Sequence, residues 1–102
     1  MKESDIQRQI LDYLRLNGYF AVKISNSGIY RKSTDSWIPS TMRGISDIYF
    51  IGHGKQGWIE VKMPKGIVSE FQKEFISNIV SHGGMAFVAR SVEDVVKKLS
   101  TC

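Results

Sequence analysis

Asp47-Ile48-Tyr49-Phe50-Ile51-Gly52-His53-Gly54-Lys55-Gln56-Gly57-Trp58-Ile59-Glu60-Val61-Lys62-Met63 is the stretch on which the fold turns. Two runs of β-favouring residues, 47–52 and 58–63, flank His53-Gly54-Lys55-Gln56-Gly57, a turn-rich segment of hairpin length. Pro64 ends the second run, because it has no backbone N–H to donate to a ladder. Alternate side chains of a strand share a face, so Glu60 and Lys62 point one way and Val61 the other. An antiparallel return brings Asp47 beside Glu60. Two carboxylates and one ammonium on a shared sheet edge are not explained by core packing. Buried charge is costly unless it is paired or bound to metal.

Outward from this hairpin the pattern is of alternating helices and strands. Residues 4–17 read as a helix, with Ser4 and Gln7 as a capping box and Ile6, Ile10, Leu11 and Leu14 on one face. Gly18 stops it, and residues 19–25 follow as a strand with Phe20, Val22 and Ile24 on one side. Residues 26–45 are rich in Asn, Ser, Thr and Gly and read as a long loop, a kind of segment that often serves function. Part of it can extend the preceding strand into a hairpin. Beyond Pro64, residues 69–82 read as a helix opened by Ser69 and Gln72, with Phe71, Phe75, Ile76, Ile79 and Val80 as its inward stripe. Gly83-Gly84 breaks it before a strand at 85–90. Ser91 then caps a last helix with Val92, Val95, Val96 and Leu99 inward. The order is α-β-β-β-α-β-α. It predicts an α/β fold with a mixed central sheet flanked by helices, closed by a parallel, right-handed crossover.

The chain has 102 residues, enough for one domain spanning 1–102. A core of this size is marginal, which favours an oligomer. Lys and Arg number 14 against 10 for Asp and Glu, a net charge of +4 that is compatible with a nucleic-acid partner. Cys102 is the only cysteine, which excludes an intrachain disulfide and a cysteine-based zinc site. His53 and His82 have no metal-ligand spacing and read as structural. No run is apolar enough to span a membrane, and no signal peptide is expected, so the expected location is intracellular.

The chemistry that wants two carboxylates and a lysine together is metal-assisted phosphodiester hydrolysis. Mg²⁺ prefers oxygen ligands and accepts few carboxylates from a protein. Asp47 and Glu60 supply carboxylate oxygens, and the main-chain carbonyl of Val61 is a further candidate. A cation so held makes water a better nucleophile and offsets the charge that develops on the phosphate. Lys62 adds a fixed positive charge for water or the transition state. Lys65, Lys73, Arg43, Arg31 and Lys32 are candidates for phosphate contact, giving salt-dependent binding without sequence preference. Tyr30 and Trp37 can stack on bases or cover an interface.

Asp47 followed thirteen residues later by Glu60-Val61-Lys62 resembles the PD-(D/E)XK nuclease signature, and the element order is similar to that superfamily's core. The finer resemblance is to the VRR-NUC family, the virus-type replication-repair nucleases. It rests on Glu3 at the head of the first helix, Gly44-Ile45-Ser46-Asp47, Glu60-Val61-Lys62 and Ser69-Glu70-Phe71-Gln72. Ser46 stands where that family usually has proline. The resemblance covers nearly the whole chain. It implies a Mg²⁺- or Mn²⁺-dependent DNA endonuclease acting as a homodimer on branched, Holliday-junction-like DNA, as in phage DNA repair, with no small-molecule cofactor. It implies a metal-site role for Glu3 and a site-facing, catalytic role for Gln72. It places the protein in the cytoplasm of a bacterial host if the source is viral. Two other readings stay open: a non-catalytic nucleic-acid-binding module on the same fold, and a nuclease subunit of a larger complex.

Overall fold

The structure is a computed structural model that describes residues 1–24 and 43–101, together with the backbone of 29–31 and 36–38. Its elements are α1 (Glu3–Leu16), β1 (Phe20–Lys23), β2 (Ile29–Arg31), β3 (Ser36–Ile38), β4 (Ile48–Gly52), β5 (Lys55–Val61), α2 (Glu70–Ser81), β6 (Met85–Ala89) and α3 (Val92–Ser100). β1, β4, β5 and β6 form a four-stranded sheet in that spatial order, and β2 pairs with β3 as a separate two-stranded ribbon. Among the strands of the larger sheet the order is the expected α-β-β-β-α-β-α. β1–β4 and β4–β5 are antiparallel, and β5–β6 is parallel across α2.

Strand alternation divides the sheet into two faces. Ile48 and Phe50 of β4, Ile59 and Val61 of β5, and Ala89 of β6 join Ile6, Ile10 and Leu14 of α1 and Val95 and Leu99 of α3 in one core. α2 covers the other face over β5 and β6, with the Phe75 ring edge-on to Trp58 at 5.3 Å. No helix among the described residues is long and apolar enough to cross a membrane.

Several local expectations are corrected. The hairpin turn is only His53-Gly54, both at positive φ (52° and 77°), the signature of a type I′ turn whose twist matches the strands. Gly57 therefore lies inside β5. Its missing side chain is a packing requirement, since a Cβ there would sit 2.8 Å from the Met85 carbonyl oxygen and 3.0 Å from the Phe50 ring. α1 starts at Glu3 and is capped by Asp5, whose Oδ2 accepts the Lys2 N–H at 2.8 Å, so Ser4 and Gln7 form no box. Gln7 is buried instead. In α2 only Phe75 is buried; Phe71 is 49% exposed, because the helix spans only half of its sheet face. Val96 of α3 is likewise exposed.

Ser46 precedes β4 and is completely buried, and its hydroxyl has no hydrogen-bond partner. A polar group desolvated without compensation costs stability. Ser46→Ala is expected to stabilise the fold by about 1 kcal/mol, read as a rise in the thermal midpoint. A fall would show that the hydroxyl is satisfied in solution.

Candidate functional site

The β4–β5 register pairs Ile48 with Ile59, and one step further places Asp47 opposite Glu60. The ladder continues through Asp47, whose carbonyl oxygen accepts the Ile24 N–H at 2.7 Å. Asp47 and Glu60 therefore lie side by side on the face that α2 covers. The Asp47 carboxylate turns across the strand end, and Oδ2 accepts the Val61 N–H at 2.8 Å. Lys62 follows β5 directly, and its N–H bonds the Ala89 carbonyl oxygen at 3.1 Å, which keeps the strand end in the sheet.

Glu60 is 1% exposed. One oxygen, Oε2, accepts from Gln72 Nε2 at 3.0 Å. Gln72 is fixed in turn by a complete capping box with Ser69: its Oε1 accepts the Ser69 N–H at 2.9 Å, and its own N–H donates to Ser69 Oγ at 3.2 Å. One side chain thus caps the helix and grips the site. The other Glu60 oxygen, Oε1, is buried without a donor. Burial raises the Glu60 pKa most; the Asp47 charge and a hydrogen bond shared with Asp47 raise it further, and Glu3 adds to the rise. The Lys62 charge opposes them, and the result is about 8. Two carboxyls can share a hydrogen bond only when one of them carries a proton. A cation between them would serve the same purpose.

Two hard oxygen donors, an orphaned Glu60 Oε1 and a nearby main-chain carbonyl suit Mg²⁺ or Mn²⁺, which keep water in several positions. Among the described residues there is no group of three or more His, Cys, Asp and Glu side chains arranged to hold a metal ion. The charge of Glu3, at the head of α1, also acts on Glu60.

Gly44 shapes the approach to Asp47. It has φ 76°, and a Cβ there would lie 2.2 Å from the Phe71 carbonyl oxygen and 2.7 Å from the Gln72 nitrogen. Only glycine lets this loop touch the first turn of α2. Gly44→Ala is expected to cost about 2 kcal/mol and to displace Gln72 from Glu60. Chemical denaturation measures the first effect, and an unchanged midpoint would contradict the close approach.

The cations expected to meet phosphate are spread around this site. Arg43 lies over the exposed Phe71 ring, 5.1 Å from its centroid, beside the α2 N-terminus. Lys65 is exposed in the turn closed by Gly66 N–H on the Met63 carbonyl oxygen at 2.9 Å. Lys73 is exposed and pairs with Glu70 at 3.3 Å on the helix surface. Lys32, and the side chains of Arg31, Tyr30 and Trp37, lie outside the described residues. His53 Nε2 contacts the Asn17 carbonyl oxygen at 2.7 Å, and His82 Nδ1 the Asn78 carbonyl oxygen at 2.7 Å. His53 thus ties the hairpin turn to the end of α1, and His82 is the C-cap of α2.

Sequence reasoning missed two residues. Gln7 interrupts the apolar stripe of α1 one turn after Glu3, and a polar residue on that stripe was the signal. Arg90 had none. Its Nη1 reaches the carbonyl oxygens of Met63 at 2.7 Å, Gly66 at 2.8 Å and Pro64 at 3.2 Å, and so fixes the turn that carries Lys65. No protein-family model, curated protein or solved structure matches this chain.

Proposed function

We propose that the protein is a Mg²⁺- or Mn²⁺-dependent DNA endonuclease of PD-(D/E)XK type. The observation that carries this reading is the buried Glu60 opposite Asp47, with Oε1 lacking any donor and Lys62 at the same strand end. A purely structural strand has no use for two adjacent carboxylates at such a cost. Asp47, Glu60 and the Val61 carbonyl hold the cation. When bound, it supplies Lewis acidity to the phosphoryl group and makes water more acidic.

The protein's own groups do the rest. Gln72 occupies Glu60 Oε2 and leaves Oε1 for the site. The Val61 N–H fixes Asp47 through Oδ2 and leaves Oδ1. Lys62 places a positive charge where the phosphate becomes more negative. Arg43 and Lys65 hold the DNA backbone on either side. Branched DNA as the substrate, and pairing of two chains on it, follow from the resemblance.

Calorimetric titration with Mg²⁺ and Mn²⁺ tests the metal, and a panel of linear, flap, splayed and four-way DNA tests the reaction. Saturable binding together with cleavage of at least one branched substrate is expected. A protein that binds DNA but neither takes up a divalent ion nor cuts any member of the panel is a binding module.

A further inference from the structure

The sheet face that carries Asp47 and Glu60 continues into an aromatic row. Tyr49 lies two residues beyond Asp47 on β4, Trp58 two residues before Glu60 on β5, and the register pairs them directly. A two-residue step along a strand is about 6.8 Å, so the aromatic row begins one side-chain layer from the acidic pair. The rings lie 5.1 Å apart at 57°. Phe75 backs the Trp58 ring from α2, whereas Tyr49 lies toward β1, on the half of the face that α2 leaves uncovered. The Tyr49 hydroxyl donates to Gln56 Oε1 at 2.6 Å, which fixes the ring's free end.

These two rings line a groove of about 890 Å³ between the β4–β5 hairpin and the C-terminal half of α2. Lys55, His82 and Lys98 contribute to its lining, and no Asp or Glu does; Lys55 Nζ donates to the Leu99 carbonyl oxygen at 2.7 Å and Lys98 Nζ lies 5.8 Å from the Phe87 ring centroid, which holds both cations at the hairpin end of the groove. An aromatic floor with basic walls is the arrangement that receives unpaired nucleotides: bases stack on the rings and cations follow the backbone. A duplex has no free base faces to offer such a floor.

We propose that the Tyr49–Trp58 row and its groove bind single-stranded DNA, seating the unpaired nucleotides next to the phosphate at Asp47 and Glu60. The assignment of that phosphate rests on the nuclease reading above; the stacking floor does not need cleavage to be observed. It gives the site a preference for strands that have left the helix, built into one chain before any partner is added.

The test uses the full chain carrying Trp37→Phe, so that Trp58 alone reports, in EDTA with a thymidine oligonucleotide of about ten residues. Saturable quenching of the indole emission is expected. Tyr49→Leu should weaken binding about tenfold, whereas Tyr49→Phe, which keeps the ring, should bind as the parent does; circular dichroism checks the fold of both. Binding seen by anisotropy without quenching, or equal affinity of the Leu variant and the parent, would overturn the proposal. So would quenching by an RNA oligonucleotide but not by DNA. Cleavage in Mg²⁺ is scored separately. Cutting without quenching leaves the nuclease reading and removes the stacking floor, and quenching without cutting does the reverse.

Discussion

Glu60→Gln is expected to abolish cleavage and, in the same protein, to raise the stability of the metal-free fold at pH 9 by about 2 kcal/mol. Both effects have one cause. Glu60 is 1% exposed, faces Asp47, and has one oxygen without a donor. Glutamine keeps an oxygen for Gln72 Nε2 and puts an amide N–H in place of the second, donor-less oxygen, on the residue opposite Asp47. Above about pH 8, where the parent's Glu60 ionises, the variant has no second carboxylate charge beside Asp47, and the charge that would hold the proposed cation is gone. The sign with pH follows from linkage. Burial and Asp47 raise the Glu60 pKa from 4.5 to about 8, so the folded protein binds this proton more tightly than the unfolded chain. Its stabilising contribution is full below pH 4.5 and is lost as pH climbs through about 8. The parent should therefore lose stability across that window relative to the variant, and the two should converge in acid. Mg²⁺ at pH 8 should restore the parent and leave the variant unmoved. Thermal melts from pH 5 to 9, with and without Mg²⁺, read all of this. A variant that melts below the parent at pH 9 would show that the carboxylate is not held at a cost.

Lys62→Ala should separate function from stability in the other direction. The lysine ends β5 through its backbone, whose N–H bonds the Ala89 carbonyl oxygen, and alanine keeps that bond. The side chain is only part-buried and lowers the Glu60 pKa by its charge. Removing it should slow cleavage about 10²–10³-fold, while the melting midpoint in neutral buffer stays within a degree or two. Lys62→Arg keeps the charge in a different shape and should recover part of the rate. Single-turnover cleavage at saturating protein gives the comparison. Alanine and parent cutting at the same rate would remove Lys62 from the chemistry and leave it as a strand-end residue.

Much of the fold was legible because its signals are local. The period of α1, the Ser69–Gln72 and Ser91 caps, and the alternation of β4 each appear within a few residues. The hairpin turn was misjudged because Gly57 reads as a turn residue. It belongs to β5 because Phe50 and Met85, distant in the chain, leave no room for a side chain. The stripe of α2 was read as wholly inward because periodicity reports which face is apolar. It does not report how wide a surface that face will meet, and Phe71 and Val80 overhang a sheet that the helix only half covers.

The site divides in the same way. Asp47, Glu60 and Lys62 were visible as charges inside strand-forming runs, an anomaly in one dimension. That Glu60 is fully buried, that Gln72 uses one side chain for a helix cap and the site together, and that Gly44 must yield its Cβ space to Phe71 are contacts between segments. The amino-acid sequence by itself determined the element types, their order and the presence of two acids and a lysine on one hairpin. Only the tertiary structure decided which acid carries the raised pKa, which oxygen is left without a donor and which aromatic pair lies beside it. Burial and register are properties of packed elements, and no single segment contains them.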